Sequence, residues 1–366
     1  MADKPSVSTI HQVLPWLHTA DAAGAHTLHA RSALREAGYV SEIFVEHVDP
    51  PLADEVLPYE YLDQNLDKGR TVLLYQLAVG SVLVDRLLRR REPIFVNYHN
   101  LTPADFFWKW APDWLNAVES GRQDLHRLAP KVSHAIAVSA FNQRDLQASG
   151  YMSTSVVPPF VDVASFPVQA PREGSDGLRP ARRGARWIFV GKLLPHKAAH
   201  DLLKALAVYR RVYDPDATLV LVGGQPVPAY AEAVTAYSRA LGLADAVDIA
   251  GPVSHERLAA EYSGSDVFVC VSDHEGFCFP LLEAMHQRLP VVAVDAAAVG
   301  DTLGDAGILL TDKRPEVVAA AVRLVLTDDE LRRRLLEAGR RRLADFDLAR
   351  TKLEFAGQVH AAIEHL

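Results

Sequence analysis

Short, nearly uninterrupted apolar runs alternate with longer stretches of mixed periodicity along most of this chain. The runs are Phe44-Val45, 71–79 (TVLLYQLAV), 94–98 (IFVNY), 134–139 (HAIAVS), 187–191 (WIFVG), 218–224 (TLVLVGG), 247–251 (VDIAG), 266–272 (DVFVCVS) and 291–295 (VVAVD). Continuous hydrophobicity over so few residues fits strands covered on both faces, and therefore parallel sheets. Segments 26–37, 80–91, 198–213, 229–241 and 255–263 read as helices between them. This β-α-β rhythm predicts doubly wound α/β domains, whose ligands bind beyond the carboxyl ends of the strands.

The rhythm breaks once. Residues 167–186, PVQAPREGSDGLRPARRGAR, are rich in Pro, Gly, Arg and acids and have no period, so they read as a linker or surface loop. This predicts a first domain over 1–165, a linker over 166–185 and a second domain over 186–345. A final helical pattern over 346–366 is expected to pack back on the first domain. The length of 366 residues suits two cores better than one.

Composition narrows the class. Apolar residues make up 49% and charged residues 23%, as in soluble globular proteins, and the net charge of −8 argues against wholesale nucleic-acid binding. Two cysteines, Cys270 and Cys278, give neither a disulfide framework nor a readable zinc cluster, which suits a reducing compartment. The first residues do not resemble a signal peptide, and no stretch approaches the roughly 18 apolar residues a membrane span needs. A cytoplasmic protein is expected, with peripheral membrane association through a surface helix left open.

Two stretches carry candidate chemistry. In VGKLLPHK (190–197), Gly191, Lys192 and Lys197 follow an apolar run and precede a helical pattern. Two lysines there suit a diphosphate, because a helix start adds unpaired N–H groups and partial positive charge. Solvated loop lysines are the plainer alternative. In HEGFCFPLLEAM (274–285), Glu275 lies in a turn and Glu283 eight positions later lies in a helix that opens at Pro280. Glu275 suits the hydroxyls of a sugar and Glu283 a ribose diol; the plainer alternative, an ordinary helix-start acid, fits Glu283 better than Glu275, which lies outside the helix. No Asp-x-Asp pair follows a strand to hold a metal, so the lysines, the amides near Gly276–Cys278 and the helix start would neutralise a diphosphate instead.

The second stretch, extended as HEGFCFPLLEAMHQRLPVVAVD, resembles the E-x7-E signature of the retaining GT-B glycosyltransferases of family 4, and VGKLLPHK resembles their phosphate loop. The segment between them, GPVSHERLAAEYSGSDVFVCVS, is similar as well. The likeness covers the C-terminal half and extends more weakly to 11–26, 97–103 and 137–146. It implies a GT-B fold, two facing Rossmann-like domains with a deep cleft. It also implies hexosyl transfer from a UDP- or GDP-linked sugar to an acceptor hydroxyl, with retention and without a metal or other cofactor.

Carried over by residue, the resemblance implies that Lys192 and Lys197 bind the diphosphate. Glu275 contacts the donor sugar, with the amides of Gly276, Phe277 and Cys278 beside it, and Glu283 holds the ribose. Gly24 lies in an N-terminal loop near the donor, and His99 lies near the anomeric carbon. His99 would act there as a hydrogen bonder more than as a base; on the residues alone, a neutral imidazole bonding a backbone carbonyl at a strand end is the better reading. The sequence departs from the family at Lys192 (usually Arg), Cys278 (usually smaller), Ala23-Gly24 (commonly Gly-Gly) and Arg288 (often Gly).

Phe106, Phe107, Trp108, Trp110 and Trp114 either shape an acceptor pocket or simply pack. The arginine runs ending at Arg91 and at Arg334 read as solvated helix faces. Other classes remain: a nucleotide-sugar 2-epimerase, a pyridoxal-dependent phosphorylase and a catalytically silent nucleotide-binding module. A dehydrogenase is disfavoured, since no Gly-x-Gly-x-x-Gly follows the early runs. The acceptor, whether a carbohydrate, a lipid-linked sugar or a small metabolite, is not legible, nor are the base, the sugar and the oligomeric state.

Overall fold

The computed structural model describes residues 7–19, 22–163, 166–167 and 184–366. Most of the expected linker, 168–183, lies outside the described residues. In chain order, the first part holds β1 (Thr9–Leu17), α1 (Ala22–Glu36), β2 (Ile43–Val48), β3 (Leu57–Pro58), β4 (Thr71–Leu77), α2 (Leu83–Leu88), β5 (Ile94–Tyr98), α3 (Pro112–Leu128), β6 (Val132–Ala137), α4 (Ala140–Ala148) and β7 (Thr154–Val156). The second holds β8 (Arg186–Val190), α5 (Ala199–Val212), β9 (Thr218–Val222), α6 (Pro228–Ala240), β10 (Val247–Gly251), α7 (His255–Gly264), β11 (Val267–Cys270), α8 (Phe279–His286), β12 (Val291–Val294), α9 (Val299–Leu303), β13 (Ile308–Leu310), α10 (Pro315–Thr327) and α11 (Asp329–Leu343). The chain closes with α12 (Leu348–Glu364).

Packing divides these elements into two compact units. The first comprises Met1–Ala104, Asp113–Val161 and Phe346–Leu366; the second comprises Asp105–Pro112 and Asp162–Asp345. The sequence reading runs the first domain unbroken to 165, whereas here the aromatic stretch 105–112 groups with the second unit. Among the described residues no helix is long and apolar enough to cross a membrane.

The first unit is built on a parallel seven-stranded sheet in the order β3-β2-β1-β4-β5-β6-β7. Alternate residues feed opposite faces. Val13, Leu73, Tyr75, Val96 and Tyr98 pack on one side with Leu125 of α3. Ile10, Val72, Leu74 and Phe95 pack on the other with Leu34 of α1 and with Phe355 and Val359 of α12. The inner strand β1 was not among the predicted runs, because His11, Gln12 and Pro15 interrupt it. Pro15 is tolerated for a local reason. Pairing to β4 ends at Val13, while Ile10 and Gln12 donate their N–H groups toward the β2 side. The N–H that Pro15 lacks would therefore point to the β4 side, past the end of that pairing.

The second unit is a parallel six-stranded sheet in the order β10-β9-β8-β11-β12-β13. Trp187, Ile188, Val220, Phe268 and Val292 are fully or almost fully buried, as expected for strands covered on both faces. Both sheets are the doubly wound α/β type that the alternation predicts. In each, the order reverses beside the first strand, between β1 and β4 and between β8 and β11, and such switch points open the crevice where ligands bind.

Candidate active site

Lys197 and Glu275 leave the two strands that flank the switch point of the second sheet. Beyond β8 the chain runs through Gly191 and the exposed Lys192 into a short turn at Pro195–Lys197. The Leu193 N–H donates to the Gly224 carbonyl at 2.7 Å, which ties this loop to the exit of β9. A Cβ on Gly223 would stand 2.1 Å from the Gly191 carbonyl oxygen, so the two strand exits approach this closely only with glycine there.

Beyond β11, Glu275 is buried in the loop that leads into α8. Its Oε2 accepts from Lys197 Nζ at 2.6 Å and its Oε1 accepts from Ser272 Oγ at 2.8 Å. Burial is the largest influence and works against the lysine charge, but Glu275 together with Cys278 and Cys270 holds the Lys197 pKa above its usual value. The Ala298 N–H donates to the Glu275 carbonyl at 3.1 Å, and Thr302 Oγ1 donates to the Phe277 carbonyl, so α9 braces the loop. Gly276, Phe277 and Cys278 lead into α8, and Cys278 takes a left-handed φ of 74° at the helix cap.

Glu283, one turn into α8, accepts from the buried Tyr262 hydroxyl of α7 at 2.7 Å. Burial raises its pKa and the Tyr262 bond pulls the other way. His196, inside the lysine turn, is pushed down to about 2, chiefly by burial and then by Lys197 and His274. Its ring lies 5.8 Å from Phe106 and 5.7 Å from Phe107. A separate cavity of 380 Å³ is lined by Trp110, Pro195, His200, Tyr230 and Tyr237 among others, and by none of the predicted donor residues. Trp108 stays exposed.

His99 and Gly24 belong to the first unit. Gly24 sits in the first turn of α1, where a Cβ would meet the His18 carbonyl oxygen at 2.7 Å. The His99 side chain ends a buried ladder of amides across three adjacent strands. Gln12 Nε2 donates to the Thr27 carbonyl at 3.0 Å, and Gln76 Nε2 donates to Gln12 Oε1 at 2.7 Å. Gln76 Oε1 faces Asn97 Nδ2 at 3.0 Å and His99 Nε2 at 2.7 Å. The Thr27 carbonyl can only accept, which fixes the direction of every amide after it. Gln76 therefore offers His99 an oxygen, and the His99 proton sits on Nε2. Beside it the His26 ring accepts at Nδ1 from the Phe160 N–H, and its Nε2 lies against the Asn97 side-chain amide. Burial first, then His99 and His29, hold the His26 pKa well below its ordinary value.

Sequence reading missed Ser272, Tyr262, Gln12, Gln76 and Asn97. The last two had a signal, as lone polar residues near the ends of the runs TVLLYQLAV and IFVNY.

Comparison with known proteins fits this geometry. Residues 180–342 match the model of the family described as glycosyl transferases group 1. D-inositol 3-phosphate glycosyltransferase of Geodermatophilus obscurus is 35% identical over 222 residues, 58% of this chain and 48% of that protein. The chain thus spans about half the length of these curated relatives. Glycogen synthase of Mycobacterium tuberculosis is 25% identical over 88% of this chain and 87% of its own. Among solved structures, Anabaena HepE in complex with UDP and glucose superposes with a TM-score of 0.76 at 16% identity, covering 98% of this chain and 100% of that one. Sucrose-phosphate synthase from Thermosynechococcus elongatus gives 0.74 at 19%, covering 98% and 99%. The fold is α/β of the GT-B class, with two Rossmann-like domains in one chain. Through residues 180–342, the chain resembles the glycosyl transferases group 1 family.

Proposed function

We propose that the protein is a retaining glycosyltransferase that moves a hexosyl unit from a UDP- or GDP-linked sugar to an acceptor hydroxyl without a metal. One observation carries the reading. Lys197 and Glu275 form a buried ion pair at the carboxyl ends of β8 and β11, the two strands of the switch point. The relatives add support, being named for glycosyl transfer, and the HepE complexes hold UDP, glucose and UDP-glucose.

In this mechanism Lys197 and Lys192 hold the diphosphate as negative charge builds on it during departure. The amino end of α8 adds its N–H groups and positive dipole end. Glu275 accepts hydrogen bonds from the donor sugar, and Glu283 accepts them from the ribose. No carboxylate is assigned as a nucleophile. The acceptor attacks from the face the leaving diphosphate vacates, and a donor phosphate oxygen takes its proton. His99, held by Gln76 Oε1 at its Nε2, acts as a hydrogen bonder to the donor sugar. Acceptor identity is left to experiment.

Screening by thermal shift and calorimetry against nucleoside diphosphates and their sugars tests the reading. A UDP or GDP sugar should bind and stabilise the protein, and the product linkage should keep the donor's anomeric configuration by NMR. Activity in excess EDTA should be undiminished. Failure of every nucleotide to bind, or a strict divalent-metal requirement, contradicts the site as described.

A further inference from the structure

The chain's two cysteines come together in the fold. Cys270 ends β11 and Cys278 caps α8, with Glu275 in the loop between them. The two Sγ atoms and a carboxylate oxygen of Glu275 all lie within 4.8 Å of one another, and all three residues are buried. Ser272 Oγ stands beside the group, 3.4 Å from Cys270 Sγ and 2.8 Å from Glu275 Oε1. The Cys270–Cys278 spacing in the sequence has no metal signature; the strand end and helix cap create the cluster. Cys278 also holds a left-handed φ of 74°, which glycine would take without strain. Backbone geometry therefore gives no reason for a thiol at this position.

We infer that Cys270, Cys278 and Glu275 form a site for a soft divalent cation of the zinc class, and that filling it shuts the donor site. With metal–sulfur bonds of about 2.3 Å and metal–oxygen bonds of about 2.1 Å, tetrahedral ligand atoms lie roughly 3.5–3.8 Å apart. The cluster reaches that spacing by small side-chain shifts. Thiolate donors select zinc-class ions over magnesium, and three protein ligands leave the fourth position for water. Binding releases the two thiol protons to solvent, one from each cysteine.

The consequence for activity follows from the shared carboxylate. Glu275 also accepts from Lys197 Nζ at 2.6 Å. A dication on Glu275 repels that ammonium and takes its place, so metal and Lys197 compete for one group. This inhibitory part rests on the proposed role of Lys197 and Glu275 toward the donor; the metal site itself does not.

The test is a Co²⁺ titration of the reduced, metal-free full chain, read by thiolate-to-cobalt charge-transfer absorption, with Zn²⁺ as competitor. One equivalent should bind, and Zn²⁺ should bleach the band. Cys270→Ala should abolish it, Glu275→Gln should weaken binding about tenfold or more, and Lys197→Ala should tighten it about tenfold. Thermal melts check that the variants fold. No charge-transfer band in the wild type, or a band unchanged in both Cys270→Ala and Glu275→Gln, overturns the site. In a second arm, saturating Zn²⁺ should weaken nucleotide-sugar binding at least about tenfold in the wild type and not in Cys270→Ala. Metal binding with unaltered donor affinity overturns the inhibitory part. A metal-free chain that binds cobalt as described but no nucleotide overturns the proposed function and leaves the metal site standing.

Discussion

The two switch points solve the same problem with different chemistry. In the second unit, β8 and β11 deliver a lysine and a glutamate that pair at 2.6 Å. In the first, β1, β4 and β5 deliver Gln12, Gln76 and Asn97, which bond to one another and end on His99. One site is poised to meet charge. The other is neutral and fixes a proton's position. A buried ion pair stays expensive unless a ligand or further bonds complete it, whereas an amide ladder buries no charge. The comparison therefore predicts that substitutions in the second unit act on chemistry first, and those in the first unit on stability and proton placement.

Lys197→Ala should have the largest effect. It should lower kcat/KM by about a hundredfold or more, through loss of leaving-group stabilisation; unchanged steady-state kinetics would place the diphosphate elsewhere. Gln76→Leu should come next. It strips partners from Gln12, Asn97 and His99, costs roughly 1–3 kcal/mol in urea unfolding, and lowers kcat more than it raises KM. The ¹⁵N shifts of His99 should report loss of the single Nε2–H tautomer. If His99 keeps that tautomer in the variant, the ladder does not set it. Glu283→Gln should raise the donor KM about tenfold with kcat nearly kept, as expected for ribose binding shared by ground and transition states.

A pH dependence of stability is also expected. His196 in the second unit sits at about 2, and an unfolded histidine at about 6.5; His26 in the first unit is shifted in the same direction. The unfolded chain therefore binds more protons below pH 6.5, and stability should fall as the pH is lowered through that range. The urea midpoint should drop between pH 7 and 5, and His196→Leu should flatten the slope. A steeper slope in the variant would contradict the assignment.

The same contrast explains what was legible in the sequence. Lys192, Lys197, Glu275 and Glu283 sit in compact stretches next to apolar runs, and a charge beside a strand end stands out. Gln12, Gln76 and Asn97 are 64 and 21 positions apart along the ladder, and only the sheet order joins them. β1 was hidden for a related reason: the polar residues it gives to the ladder, with Pro15, break its apolar pattern. Tyr262 gave no local sign either, because its role depends on how α7 packs on α8. The stretch 105–112 follows β5 in the sequence yet packs with the second unit, where Phe106 and Phe107 lie against His196. Sequence adjacency could not have indicated that.

A crystal structure with a nucleoside diphosphate sugar bound tests the central claim most directly. The account predicts diphosphate oxygens within hydrogen-bond reach of Lys197 Nζ and the amino end of α8, with Glu283 on the ribose and Glu275 on the sugar. A diphosphate bound away from residues 192–197 and 275–283 would contradict it.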